Sequence, residues 1–383
     1  MHGMKGSEGT KGIFTGRMRI APRRQLTRWP GWVGHAAATW SLIYGALGLY
    51  WALGGAGFPC GSENGPKAAA ESILGSAQSD TTAPVIAGLG LVGAMVALAM
   101  ARGRGSRGPR ILRAALVVFA WSVAVALLLV IPDLRVLMAV AYAPIFLIGA
   151  PFGWPPVNYF EIALPWPVIN QFVCIAGGFL WAGAAVAYWR RSRDACATCG
   201  RTDSSSGWTT PAAAARWGRW ATYVAVIVPL PYAAIRWAWA LGIPLGITNE
   251  FLREGQETGL WWAGAALSMV DLAGAFLTLG LVQRWGEVFP RWVPFLSGKR
   301  APSAMAIVPA SLVSVIVTSA GLQVVRGFLV NGFPAEGWAT TAPGLLWPVW
   351  GGALGAATLA YYYRRRGRCA CCGRGEDHRS LET

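Results

Sequence analysis

The sequence predicts an all-α protein, a polytopic bundle of transmembrane helices built as two parallel four-helix repeats. Three observations predict it. Of 383 residues, 54% are hydrophobic and only 13% are charged, where a soluble chain carries about 25% charge. The apolar residues gather into runs near the roughly 20 residues that cross a bilayer. The chain also writes one ending twice, "YWRRSRDACATCGR" at 188–201 and "YYYRRRGRCACCGR" at 361–374.

The elements follow in order. Residues 1–28 are polar and basic, too long for an ordinary signal n-region, and read as a cytoplasmic N-terminal segment. "ALGGAG" after the first apolar run has the small-residue look of a cleavage site, which keeps a signal peptide as the alternative there. Spans are expected near 32–54, 84–101, 111–131 and 171–189 in a first repeat, 29–201. A cytoplasmic linker, 202–216, leads to spans near 220–243, 261–282, 304–325 and 345–363 in a second repeat, 217–374, with a cytoplasmic tail at 375–383.

The duplication rests on identities at fixed spacing. Trp29, Trp32, Tyr44, Trp51, Leu53 and Gly54 recur 188 residues later as Trp217, Trp220, Tyr232, Trp239, Leu241 and Gly242. The endings recur at an interval of 173, including Cys196, Cys199, Gly200 and Arg201 against Cys369, Cys372, Gly373 and Arg374. Internal repeats are a frequent plan of membrane proteins.

Charge sets the expected orientation. Segments 1–31, 102–113, 190–219, 284–300 and 364–379 hold 28 of the 33 Lys and Arg. Basic residues concentrate in cytoplasmic loops, so eight spans with both termini cytoplasmic in the cell membrane fit. Lys67, Arg135, Arg253 and Arg326 fall outside, and Arg236 within a span. The apolar run "VLMAVAYAPIFLIGA", 136–150, is short. Were it to span, the basic 190–219 loop would change sides, so a re-entrant or interfacial segment is expected, with nine spans as the alternative. The net charge of +16 then reflects inner loops meeting anionic lipid heads. The bilayer is the expected partner, nucleic acid is not, and protein partners are unspecified.

Seven cysteines are present. Cys196/Cys199 and Cys369/Cys372 each form C-x-x-C-G-R just past the last helix of a repeat, on the reducing side where a disulfide does not persist. The x-x spacing lets both sulfurs of a turn reach one ion, and Gly permits the bend. Four such thiols suit a structural zinc that clips the repeats together. An iron–sulfur cluster or redox pair, and four unligated thiols, remain open; Cys371 and His378 could substitute as ligands. Cys60, in an outer loop, and Cys174, in a span, read as unpaired.

Within the bilayer Asp271 stands out, near mid-span, where an ionised carboxylate costs several kcal/mol. Ser268 lies one turn before it and Thr278 two turns after. Arg236, in the preceding span, is placed by helical rise to pair with it. These residues are the candidates for a substrate or proton pathway; a structural ion pair, or a snorkelling Arg beside a protonated Asp, is the alternative. His35 reads as an interfacial polar residue. Pro229, Pro231 and Pro309 interrupt spans, as kinks or cavity-lining breaks. "GLGLVG", 88–93, lies inside a span without a preceding strand, so its small residues read as a close helix contact, not a dinucleotide loop. No H-E-x-x-H, G-x-S-x-G or P-loop pattern occurs, so no catalytic residue is assigned.

The stretch "HAAATWSLIYGALGLYWALGG", 35–55, and the connector "FPRWVPFLSGKRAP", 289–302, resemble uncharacterised multi-pass membrane proteins of high-GC actinobacteria. The resemblance implies a membrane bundle and no established activity. Two function classes follow: a transporter-like protein for a small solute, and a non-catalytic membrane scaffold or accessory subunit. A membrane-embedded enzyme stands third.

Overall fold

Helices form where the apolar runs are. The computed structural model describes residues 29–61, 72–103, 109–153, 158–202, 207–289, 291, 297–334 and 336–375. The N-terminal segment, Lys67, part of the linker and His378 lie outside them.

The first half contains α1 (Trp29–Ala52), α2 (Ser79–Arg102), α3 (Arg110–Val125, continued by a π turn, Ala126–Val130), α4 (Leu134–Gly149), the short α5 (Tyr159–Ala163) and α6 (Trp166–Ser192). The second contains α7 (Pro211–Ile227), α8 (Leu230–Ala240), the short α9 (Asn249–Glu257), α10 (Leu260–Leu279), α11 (Ser303–Asn331) and α12 (Trp347–Arg365). Pro229 and Pro231 divide α7 from α8, because proline removes backbone donors and crowds the preceding turn. Pro309 is absorbed inside α11 without ending it. Among the described residues the only β feature is one bridge, Val288 to Arg300.

Seven helical stretches are long and apolar enough to cross a membrane: Ser79–Arg102, Arg110–Val130, Leu134–Phe152, Trp166–Ser192, Pro211–Ala240, Leu260–Leu279 and Ser303–Asn331. Two expected spans, α1 and α12, fall short of that apolarity: α1 is diluted by Gly, Trp and Tyr, and α12 ends in Tyr361–Tyr363, Arg364 and Arg365. Leu42, Leu89, Val118, Phe276 and Val308 are each more than half exposed. So much outward apolar surface is what a bilayer covers, and the bundle is consistent with an integral membrane protein.

The two halves pack in the same order. α1 lies on α2 as α8 lies on α10; α3 lies on α6 as α11 lies on α12; α1 meets α6 as α7 meets α12. α1 and α8 also end alike. Gly54 and Gly242 have φ of +87° and +84°. Gly54 N donates to Trp51 O (3.0 Å) and Gly242 N to Trp239 O (3.1 Å). Gly55 N and Ile243 N reach back to Tyr50 O and Ala238 O. Left-handed glycine and this bond pair cap a helix without a Cβ penalty. Trp51 and Trp239 are both buried beneath those caps.

α1 and α2 approach so closely because glycine faces glycine. A Cβ on Gly90 would lie 2.4 Å from Gly45 Cα, whereas one on Gly88 meets nothing within 4 Å. Gly90 and Gly93 of "GLGLVG" therefore serve close helix contact, as expected, and Gly88 does not.

α4 is longer than a short apolar run suggests, yet its surroundings return the chain to where it began. Asp133, its N-cap, receives Gln171 Nε2 (2.8 Å) from the first turns of α6. Tyr159, just before α6, donates to Ala139 O (2.7 Å) and packs on Phe146 at 5.0 Å. The start of α4 and the start of α6 thus share one end of the bundle. α4 also joins the halves: Val136 and Ala139 cluster with Val168, Ile175 and Ile316 in an apolar seam. Nearby, Ser319 Oγ of α11 donates to Leu129 O (3.2 Å) and to Pro132 O, carbonyls at the end of the π turn.

Candidate metal centre

α6 and α12 stop within a few residues of equivalent cysteine turns. After α6, Asp194 takes a left-handed φ of +54° and the chain turns back. Cys196 N donates to Arg201 O (3.0 Å) and Gly200 N to Cys196 O (2.7 Å), with Gly200 at φ +73°. After α12 the pattern repeats: Cys369 N to Arg374 O (2.9 Å), Gly373 N to Cys369 O (2.8 Å), Gly373 at φ +71°. Glycine is required in both turns because an added Cβ would strain a left-handed backbone.

The two turns face each other. Cys196 Sγ lies 3.9 Å from Cys369 Sγ, and Cys199 Sγ 3.6 Å from Cys372 Sγ. All four sulfurs lie within 4.8 Å of one another. A tetrahedron of four sulfurs at 2.3 Å from one ion has edges of about 3.8 Å, so the cluster has the size of a four-thiolate site. The separations far exceed the roughly 2.05 Å of a disulfide, and all four cysteines are free thiols. These four residues lie close enough to hold a metal ion. Cys371 is exposed and is not one of the clustered four.

The electrostatics differ within each turn in the same way. Burial opposes ionisation of Cys196, but backbone N–H groups of Cys199 and Thr198 outweigh it and bring the thiol down to about 6. Cys369 is lowered likewise, burial being overcome by the N–H groups of Cys372 and Cys371. Burial, followed by the neighbouring sulfurs, pushes Cys199 up to about 12 and raises Cys372. One thiol per turn is the more readily ionised, and a dication would draw the protons from the other two.

Arginines brace the site. Arg201 Nη1 donates to Arg374 O (2.8 Å) and Gly367 O (3.0 Å), and Nη2 to Arg366 O (2.9 Å). Arg374 Nη1 answers to Arg201 O (3.1 Å). The carbonyl that closes each turn is therefore also the acceptor for the other half's arginine. Arg190 holds Ala197 O and Thr198 O, and Arg366 holds Cys199 O and Thr209 O. Guanidinium groups so placed offset the negative charge of four thiolates. Sequence reasoning found the four cysteines and missed this brace; the signal was the Arg that follows each C-x-x-C-G.

The bilayer candidates are not brought together. Both carboxylate oxygens of Asp271 are buried without a hydrogen-bond partner, and no ion pair to Arg236 forms among the described residues. Arg236 instead lies over the rings of Tyr232 and Trp239, 4.9 and 5.0 Å from their centroids, where cation–π attraction substitutes for a carboxylate. Ser268 Oγ donates to Ala265 O (2.7 Å) and Thr278 Oγ1 to Gly274 O (2.8 Å), each within α10. The expected Arg236–Asp271 pair is thus not made, since matching depth does not fix which way a side chain turns. His35 Nδ1 lies 3.3 Å from Gly31 O, within its own helix.

A second polar cluster, unmarked by any motif, lies at the far end of the first half. Buried Asp133 holds Arg135 (Nη2–Oδ2, 2.6 Å) and Gln171. Tyr44 Oη donates to Asn170 Oδ1 (2.9 Å), while Asn170 Nδ2 is buried and unpartnered. Asn170, Gln171, Arg135 and Cys60 border a cavity of ≈ 20 Å³, room for about one water. Burial pushes the Cys60 thiol up to about 11, which keeps it unreactive.

No family model matches the chain, and comparison with curated proteins and with solved structures gives no match either.

Proposed function

We propose that the protein is a non-catalytic membrane scaffold or accessory subunit: two fused copies of a four-helix unit whose cysteine ends are clipped by one structural zinc ion. The observation that carries this reading is the meeting of two thiols from each half within 4.8 Å. Four thiolates in so small a tetrahedron suit a single zinc and leave no room for a cluster of several irons. Alternating access works by rocking one repeat against the other, and an ion tied to both halves resists that at one end. The apolar seam of Val136, Val168, Ile175 and Ile316 ties them again further along.

Eight crossings are part of the same proposal. α4 and α6 start at one end, so α4 counts as a re-entrant segment, and both cysteine turns fall on the side holding most of the basic residues, the cytoplasm by the charge rule. The matching helix caps, packing order and cysteine turns support a tandem duplication over 29–201 and 217–374.

One preparation tests both metal and orientation. Protein purified without chelator is expected to carry about one zinc per chain, and an impermeant maleimide added to intact cells is expected to leave the exposed Cys371 unlabelled. Less than about half a zinc, with four freely alkylated thiols, would sink the clip; labelling from outside would reverse the orientation.

The unpartnered carboxyl of Asp271 favours a second reading, transport of a small solute or proton past α10. Asp271→Asn is then expected to abolish any solute or proton flux measured in proteoliposomes. Under the scaffold reading the variant is equal to or more stable than the parent, because it removes the cost of a buried acid without breaking a bond.

A further inference from the structure

Among the described residues, the far end of the bundle carries few cations, and one of them lines a groove whose described lining holds no carboxylate. Gln323, Val324, Arg326, Val330 and Asn331 of α11, with Leu134 at the start of α4, line an open groove of ≈ 470 Å³. That volume is on the scale of a small-molecule site, about 300–1,000 Å³. Arg326 sits five residues before the end of α11, about 7.5 Å by helical rise. It is exposed, forms no ion pair among the described residues, and its bond to Gln323 Oε1 is long at 3.4 Å. Beside it Leu329 and Val330 are 82% and 72% exposed, and Phe328 stacks on Phe333 at 5.2 Å. A guanidinium held only by a long bond to Gln323, whose own amide N–H lies 3.4 Å from Val130 O, with bare apolar side chains next to it, complements an amphiphile with an anionic head. At the cysteine end, by contrast, Arg190, Arg191, Arg201, Arg364, Arg365 and Arg366 are engaged with backbone carbonyls.

We propose that this groove binds one anionic phospholipid of the leaflet at the far end. Its phosphate lies on Arg326, within reach of the Gln323 and Asn331 amides, and its chains run along Val324, Val330 and Leu134. The test is native mass spectrometry of the full chain in detergent with phosphatidylglycerol or phosphatidylcholine added. One phosphatidylglycerol is expected to remain bound in preference to phosphatidylcholine. Arg326→Gln is expected to weaken its retention about fivefold, the effect of one basic residue at an anionic surface. Arg253→Gln, an exposed cation on α9 at the same end, is expected to leave it unchanged. Equal retention of phosphatidylcholine, an Arg326→Gln variant that binds like the parent, or an equal loss in Arg253→Gln would overturn the proposal. Displacement by inorganic phosphate at low millimolar concentration would overturn it too, since a soluble anion would then be the occupant.

Discussion

Replacing Cys199 and Cys372 together by serine is expected to empty the metal site and to lower the thermal midpoint of the detergent-solubilised protein by on the order of 10 °C. The reasoning starts from linkage. An ion that binds the folded chain and not the unfolded one adds its binding free energy to stability. For structural zinc in small peptides that energy is about 10–16 kcal/mol, and two serines remove half the ligands, one from each half, along with the 3.6 Å sulfur contact. The arginine brace between Arg201 and Arg374 remains, so the halves are loosened rather than separated. Cys371→Ser is the control, because that thiol is exposed and outside the cluster; it is expected to keep both metal and midpoint. A double variant with undiminished metal, or an unchanged midpoint, contradicts the clip.

The second large effect is expected from Gly90→Val. The first added carbon would fall 2.4 Å from Gly45 Cα, 2.7 Å from Gly45 N and 2.8 Å from Ser41 O. All three are backbone atoms, so no rotamer change relieves the clash and α1 must move away from α2. Overpacking of this kind costs about 3 kcal/mol, and membrane helices have no hydrophobic drive to press them back together. Gly88→Val, two residues away on the same helix with nothing within 4 Å, is expected to melt within a degree or two of the parent. Thermal unfolding followed by circular dichroism distinguishes the two; equal midpoints would mean that the α1–α2 contact does not carry this stability.

What the sequence disclosed and what it withheld divide along physical lines. Apolar runs report length and lipid exposure directly, so most helices lie within a few residues of where the pattern puts them. The cysteine turns were legible because ligand chemistry needs particular residue types at a particular spacing. α4 was harder, since an apolar run of its length reads alike whether it crosses, dips or lies flat. The Arg236–Asp271 expectation failed for a related reason. Helical rise gives depth, but the direction a side chain takes depends on neighbours, here Tyr232 and Trp239. The arginine brace left almost no mark, because its acceptors are backbone carbonyls, which every residue has.

The crossed bonds between Arg201 and Arg374 bear on how the molecule is made. The first cysteine turn leaves the ribosome 173 residues before the second. At about 5–20 residues per second it waits roughly 10–30 s for its counterpart. Through that interval two thiols and an arginine stand without the partners that complete them, open to a competing ion, an oxidant or a neighbouring nascent chain. Only when α12 has been threaded does the arrangement close, so capture of an ion there would record that the later half has arrived and docked correctly.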